Sequence, residues 1–299
     1  METIPEMFEE RVHNLEFYAQ KQIYNRIKLL NKLPIVQNVA GEFTNYAGDS
    51  NPDDVKGDVI TTGDGLDFNE ISFGEPSIYR GATVPKGFMF KMNSRLEDKG
   101  RLEATLQVFM NKSIGKLANF YDKVYMDALA AGAGITNVTG LKNITGSSTG
   151  IDVIENELKI INAMESINDV DTGFTPTTVF LPRADKLAID IALAKSDLLD
   201  DSNFEYIGTN SIAAGKKVIM DLNTPTCTIE KYADPKYSII SQWESETDTG
   251  RVYTESGDVL PQSFINVKMT EPNEPQRSYV YLFAESGLNI LEPNGIMYI

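Results

Sequence analysis

Thiol and imidazole are nearly missing from this 299-residue chain, which carries one cysteine, Cys227, and one histidine, His13. A lone thiol cannot close an intrachain disulfide, which fits synthesis in a reducing compartment. One Cys and one His cannot build a zinc site of soft ligands. Basic residues are scarce too. Lys and Arg together number 27 against 43 Asp and Glu, a formal net charge of −16, so the summed field repels phosphate and anionic lipid before any local patch is considered. Long apolar runs are also absent. YVYLFA near residue 280 falls far short of the roughly 18 to 20 residues that cross a bilayer, which argues against a helical span. The first twenty residues, METIPEMFEERVHNLEFYAQ, are acidic and lack the basic end and apolar centre of an export signal, so cytoplasmic synthesis is the expectation.

What is present is ordinary globular material. Hydrophobic residues make up 41% and charged residues 23%, too apolar for a disordered chain. The length favours two domains, at roughly 150 residues each. Between residues 5 and 33 apolar side chains recur at helical spacing (Phe8, Val12, Leu15, Tyr18, Ile23, Ile27, Leu30). Glutamates come early and Arg26, Lys28 and Lys32 late, an order that suits the helix dipole, before Pro34 ends the pattern.

Residues 41–100 change character. Nine of the 22 glycines fall there, no helical period appears, and runs such as DFNEISF and GFMFKMNSR alternate apolar with polar. This reads as a long, glycine-jointed β-arm. A two-stranded ribbon without its own core is marginal at best and needs something to lie against. Residues 101–131 then carry the strongest signal in the chain, with Leu102, Leu106, Phe109, Ile114, Leu117, Tyr121, Val124 and Ala128 on one stripe. The spacing predicts an amphipathic helix about 45 Å long, stopped by Gly132 and Gly134. Beyond a Gly/Ser/Thr-rich connection, IDVIENELKIINAMESI and ADKLAIDIALAKSDLL predict two more helices around a strand, TPTTVFLP. KKVIMDL, TCTIEKY, YSIISQW, SFINVKM and RSYVYLFA predict short strands separated by turn residues. The fold class is α+β.

Several motifs imitate chemistry. GSSTG at 146–150 matches the G-x-S-x-G nucleophile elbow around Ser148, but the only histidine precedes the serine where that family needs one after it. A Gly/Ser linker is the favoured reading. Ser113 and Lys116 spell S-x-x-K without the companion S-D-N or K-T-G elements. On the same exposed face lie Lys112 and Lys123. GTNSIAAGKK spaces its glycines too widely for a phosphate loop, and GAGITN has Asn137 where the dinucleotide fingerprint needs a third glycine. Asp49, Asn51 and Asp53 begin like an EF-hand loop, but Asp54 replaces its glycine and Ile60 its bidentate glutamate.

The order of elements resembles the Johnson, or Hong Kong 97-type, capsid fold. The stretches that carry the likeness are the long helix ending in DALAAGAG, the strand-turn-helix TTVFLPRADKLAIDIA, IAAGKKVIMDLNTP, YSIISQW, and the closing RSYVYLFAESGLNILEPNG. None is a catalytic motif. The resemblance implies an N-terminal arm at 1–40, an extended β E-loop at 41–100, a P-domain with its spine helix at 101–145, an α/β A-domain at 146–251, and return strands completing the P-domain at 252–299.

The implied function is that of a tailed-phage major capsid protein, assembling through pentamers and hexamers into an icosahedral shell around double-stranded DNA in the host cytoplasm. The alternative is an encapsulin-type nanocompartment. The resemblance implies no enzyme, no cofactor and no metal. Its partners are further copies of the chain, with scaffolding, portal and decoration proteins as separate chains where they occur, and packaged DNA only non-specifically. Lys56, Lys86 and Lys91 lie where some members crosslink, but nothing identifies a partner for them. Two groups of residues are expected to matter. Phe68, Ile71, Phe73, Ile78 and Tyr79 of the E-loop should pack on a neighbouring subunit, since an isolated ribbon cannot bury them. Lys21, Arg26 and Lys28 on the arm should face the genome. Two other classes stay open: a serine hydrolase built on Ser148, and a tail or connector ring protein.

Overall fold

The computed structural model describes residues 4–37, 42–47, 77–93, 102–167, 170–171, 173–224, 226–232, 262–274 and 277–299. In chain order the elements are α1 (Ile4–Arg26), β1 (Ile35–Gln37), β2 (Glu42–Ala47), β3 (Ser77–Ala82), β4 (Val84–Asn93), α2 (Leu102–Gly132), α3 (Gly150–Glu165), β5 (Ser166–Ile167), β6 (Val170–Asp171), β7 (Thr178–Pro182), α4 (Arg183–Lys195), β8 (Glu205–Thr209), β9 (Val218–Met220), β10 (Cys227–Lys231), β11 (Asn266–Glu274), β12 (Arg277–Ile290) and β13 (Ile296–Tyr298). They form two compact units. The first draws on residues 1–43, 81–124 and 229–288, the second on 44–80, 125–228 and 289–299.

The first unit is built around β12. Val280, Leu282 and Ala284 are fully buried and alternate with half-exposed Tyr279, Tyr281 and Phe283, the period-2 pattern of a strand with one face on the core. Antiparallel β4 takes one edge of β12 from Arg277 to Ser286. Antiparallel β11 takes the other as far as Phe283, and β10, with parallel β1 beyond it, completes a five-stranded sheet. This changes one expectation. GFMFKMN is not a ribbon waiting for a strand partner: β4 is paired along one edge in its own chain with RSYVYLFAES, residue for residue. DFNEISF and YSIISQW lie outside the described residues.

α1 is shorter than the 5–33 pattern predicts. It ends at Arg26, Ile27 turns extended (φ −96°, ψ 96°), and a 3-10 turn covers Lys28–Asn31. The stop is local: the Asn31 side-chain amide donates to Tyr24 O at 2.9 Å, satisfying a carbonyl of the last turn. Ile23, Ile27, Leu29 and Leu30 stay buried through the break, so the apolar period survives where the helix does not. α1 is anchored by Gln20, whose Oε1 accepts the Phe264 and Ile265 N–H groups at 3.0 and 3.1 Å and whose Nε2 donates to Gln262 O.

The second unit holds a four-stranded sheet ordered β13-β9-β7-β8. β7 and β8 are parallel and joined through α4, a βαβ crossover, while β9 and β13 pair antiparallel. Its core gathers Val153, Ile160 and Met164 from α3, Val179 and Leu181 from β7, Ile189 and Leu193 from α4, with Phe174, Phe204, Ile219 and Met297. Gly295 makes the closest approach: a Cβ there would meet Thr226 Cγ2 at 2.3 Å, so only hydrogen fits.

Candidate functional site

Among the described residues no cluster of catalytic type forms around the imitated motifs; Asp49, Asn51, Asp53, Asp54 and Ile60 lie outside them. Ser148 Oγ accepts the Thr145 N–H at 2.9 Å and lies 3.5 Å from Thr145 Oγ1; neither partner is a base. GSSTG instead builds the start of α3. Asp152 accepts both the N–H and the hydroxyl of Thr149 (3.0 and 2.8 Å), and Ser196 Oγ accepts the Gly150 N–H at 2.8 Å, so hydroxyls and a carboxylate satisfy groups a helix end leaves open. The Lys142 ammonium beside Asp152 holds that carboxyl well below the usual range. Ser113 is buried on α2, while Lys116 lies 5.9 Å over the Phe88 ring. The second lysine of GTNSIAAGKK has a place of its own: Lys217 is half-buried in a cavity of about 410 Å³ with Leu141, Ile144, Ile189, Asp185 and Ile299, and burial pushes its pKa down.

The features that stand out are mechanical. In the first unit α2 runs antiparallel to β4, its side chains matching the strand's in order. Phe109 stacks on Phe90 at 5.0 Å, Lys116 lies over Phe88, and Phe120 lies under Lys86 at 5.3 Å. From Lys116 to Phe120 the helix advances about 6 Å over four residues while the strand advances about 6.7 Å over two, so these two rungs stay in step; the step from Phe109 to Lys116 is longer on the helix, about 10.5 Å over seven residues. Fully buried Tyr121 closes it. Its hydroxyl is 2.8 Å from Val84 O and 2.5 Å from Ala284 O, its ring meets Phe264 edge-on, and burial pushes its phenol far above the ordinary value.

In the second unit the corresponding lock is Glu157, fully buried on α3. It accepts from Ser202 Oγ (2.8 Å), Asn203 N (2.9 Å), Asn203 Nδ2 (3.1 Å) and Tyr206 OH (2.7 Å). Asn156 beside it exchanges two 2.8 Å bonds with the Lys142 backbone, fixing the connection after α2. The sequence pattern pointed to neither residue, because polar letters on a helix read as solvent face; only an E or N at a position that should be apolar would have marked them. The outer faces of α3 and α4 expose Ile151, Leu158 and Leu187, each more than half accessible.

Of the residues singled out from the sequence, Phe68, Ile71 and Phe73 lie outside the described residues. The backbone of β3 holds Ile78 and Tyr79, paired with β2. Lys21, Arg26 and Lys28 are all exposed. Lys21 is about 140° around α1 from Arg26. Arg26 reaches α2: one guanidinium nitrogen lies 3.1 Å from where a Cβ on Gly115 would stand.

No protein-family model matches the chain, and no curated protein is similar in sequence. Solved structures are similar in fold. The virus-like particle from Pyrococcus furiosus is 12% identical, with a TM-score of 0.52 over 94% of this chain and 97% of that one. The capsid of the empty GTA particle is 11% identical, with a TM-score of 0.52 over 91% and 89%. The capsid of Myoviridae phage XM1 is 9% identical, with a TM-score of 0.50 over 91% of each. The match runs through both units and covers nearly the whole of each chain, and the chain therefore has the mixed helix-and-sheet, Hong Kong 97-like capsid fold.

Proposed function

We propose that this chain is a major capsid protein, the shell subunit of a tailed-phage-type virion that assembles through pentamers and hexamers around double-stranded DNA. One observation carries the reading: end-to-end likeness of fold to a virus-like particle and to two capsids, covering nine tenths or so of every chain compared. A fold alone does not fix a function, so the internal construction matters beside it. A shell subunit must be stiff where it bears load. The α2–β4–β12 ladder closed by Tyr121 and the Glu157 lock supply stiffness in each unit.

In this reading residues 1–40 are the arm, 41–100 the E-loop, 101–145 the start of the P-domain with α2 as its spine, 146–251 the A-domain, and 252–299 the return strands. Phe68, Ile71, Phe73, Ile78 and Tyr79 pack on the neighbouring subunit. Ring contacts are heterologous and close when the rotation permits. Lys21, Arg26 and Lys28 soften repulsion toward the genome. Scaffolding, portal and decoration proteins are separate partners, and assembly takes place in the host cytoplasm.

A nanocompartment shell is the second reading, favoured by the likeness to a virus-like particle as good as that to the capsids. The contents separate the two. Particles purified from cells in which the chain meets its own gene neighbours hold packaged duplex DNA in the first reading and a single enzyme species in the second. Native mass measurement of the same preparation tests the assembly claim, which predicts five- and six-subunit rings or complete shells.

A further inference from the structure

The first unit carries a cationic face that its overall charge does not announce. On α2 the exposed side chains Lys112, Lys116 and Lys123 recur at i, i+4 and i+11, one stripe of the helix within about 40°. Arg26 joins them from α1. Gly115 has no side chain, and the guanidinium lies in the slot so left, 3.1 Å from the position a Cβ would occupy. Three cations, Arg26, Lys112 and Lys116, thus sit within about one turn of each other. In a chain with 43 carboxylates, none of these three forms an ion pair with another residue whose side chain is described. Among the described side chains Lys116 has the Phe88 ring beneath it, a contact that uses the ring face and does not engage its N–H donors in a hydrogen bond.

We infer that Arg26, Lys112 and Lys116, continued by Lys123, form a contact site for the phosphate backbone of double-stranded nucleic acid. This goes beyond the arm residues already proposed by making the spine helix, with Gly115 as the seat of Arg26, the binding element. It rests on the shell reading for which polyanion is at hand. The stripe suits that ligand. From Lys112 to Lys123 it runs straight for about 16 Å, the length of about five phosphates on one strand at about 3.4 Å of axis each. Backbone contacts of this kind are non-specific in sequence and release counterions, so their signature is a salt slope.

The test uses the full-length purified chain and a 30-base-pair DNA duplex, with affinity measured from 50 to 300 mM salt. The triple variant R26E/K112E/K116E is compared with wild type and with a control carrying K159E, K195E and K216E in the second unit. If the inference holds, the slope of log affinity against log salt falls in magnitude by about 2 to 3 in the first variant and changes little in the control. The milder R26Q/K112Q/K116Q, whose thermal melt reports folding, must show the same direction. Wild type that does not bind at 50 mM salt, equal losses in both triple variants, or polyglutamate competing as well as DNA at equal charge would each overturn it. Particles give an independent reading: variant shells of normal size with wild-type nucleic-acid content overturn this inference and leave the shell reading intact. Absence of shells alongside duplex binding does the reverse.

Discussion

The Tyr121 hydroxyl stands 2.5 Å from the carbonyl oxygen of Ala284, and one turn of the same helix places Phe120 under Lys86 on the strand paired with it. One helix is thereby keyed to two strands separated from it by as many as 163 residues of sequence. Replacing Tyr121 with Phe keeps the ring against Phe264 and removes the donor from a buried acceptor, which costs about 1 to 3 kcal/mol. Urea unfolding followed by circular dichroism measures it. A loss under about 0.5 kcal/mol means that the hydroxyl holds nothing.

Glu157 is tested by its isostere. Glu157→Gln keeps the volume but turns one carboxylate oxygen into a donor facing groups that are themselves donors, among them the Asn203 N–H and Tyr206 OH. The expected loss is about 1.5 to 3 kcal/mol, the range for hydrogen bonds to a charged group. A cycle with Tyr206→Phe should show non-additivity, since both changes remove one bond. Additive losses contradict a shared network.

Cys227 is fully buried, and burial pushes its thiol up to about 12 from an ordinary value of 9.0. The folded chain therefore holds the proton that the unfolded chain releases. The contribution to stability is complete below about pH 9 and is lost as pH rises from there toward 12. Unfolding midpoints at pH 8 and pH 10.5 should fall further apart in wild type than in Cys227→Ala. A thiol reagent at pH 8 should label the folded protein slowly and the urea-unfolded protein at one site per chain; rapid labelling of the folded form contradicts the placement.

The E-loop proposal makes a prediction about assembly instead of stability. Phe73→Asp should abolish shells while leaving soluble subunits that melt at the wild-type temperature, as read by sedimentation and calorimetry. Normal particles from that variant remove Phe73 from the contact.

Much of the architecture was legible because it depends on period and punctuation. The stripe from Leu102 to Ala128 gave α2, and the apolar run TVFLP before an amphipathic ADKLAIDIALAK gave β7 and α4. What escaped was long-range or very short. β1 and β13 are three residues each, too brief for any alternation to register, and are strands only because β10 and β9 hold them. The β4–β12 pairing joins segments about 190 residues apart, a partnership no local pattern encodes. The break at Ile27 was hidden because the 3-10 turn keeps the same apolar residues inward. The site was less legible than the fold. The exposed lysines of α2 were visible as a face, but their union with Arg26 depends on the slot at Gly115.

The central claim is assembly, and negative-stain electron microscopy of the purified recombinant chain, alone and with a candidate scaffolding protein, tests it most directly. The account predicts closed shells tens of nanometres across, or rings of five and six subunits; a uniform monomer or dimer under every condition would contradict it.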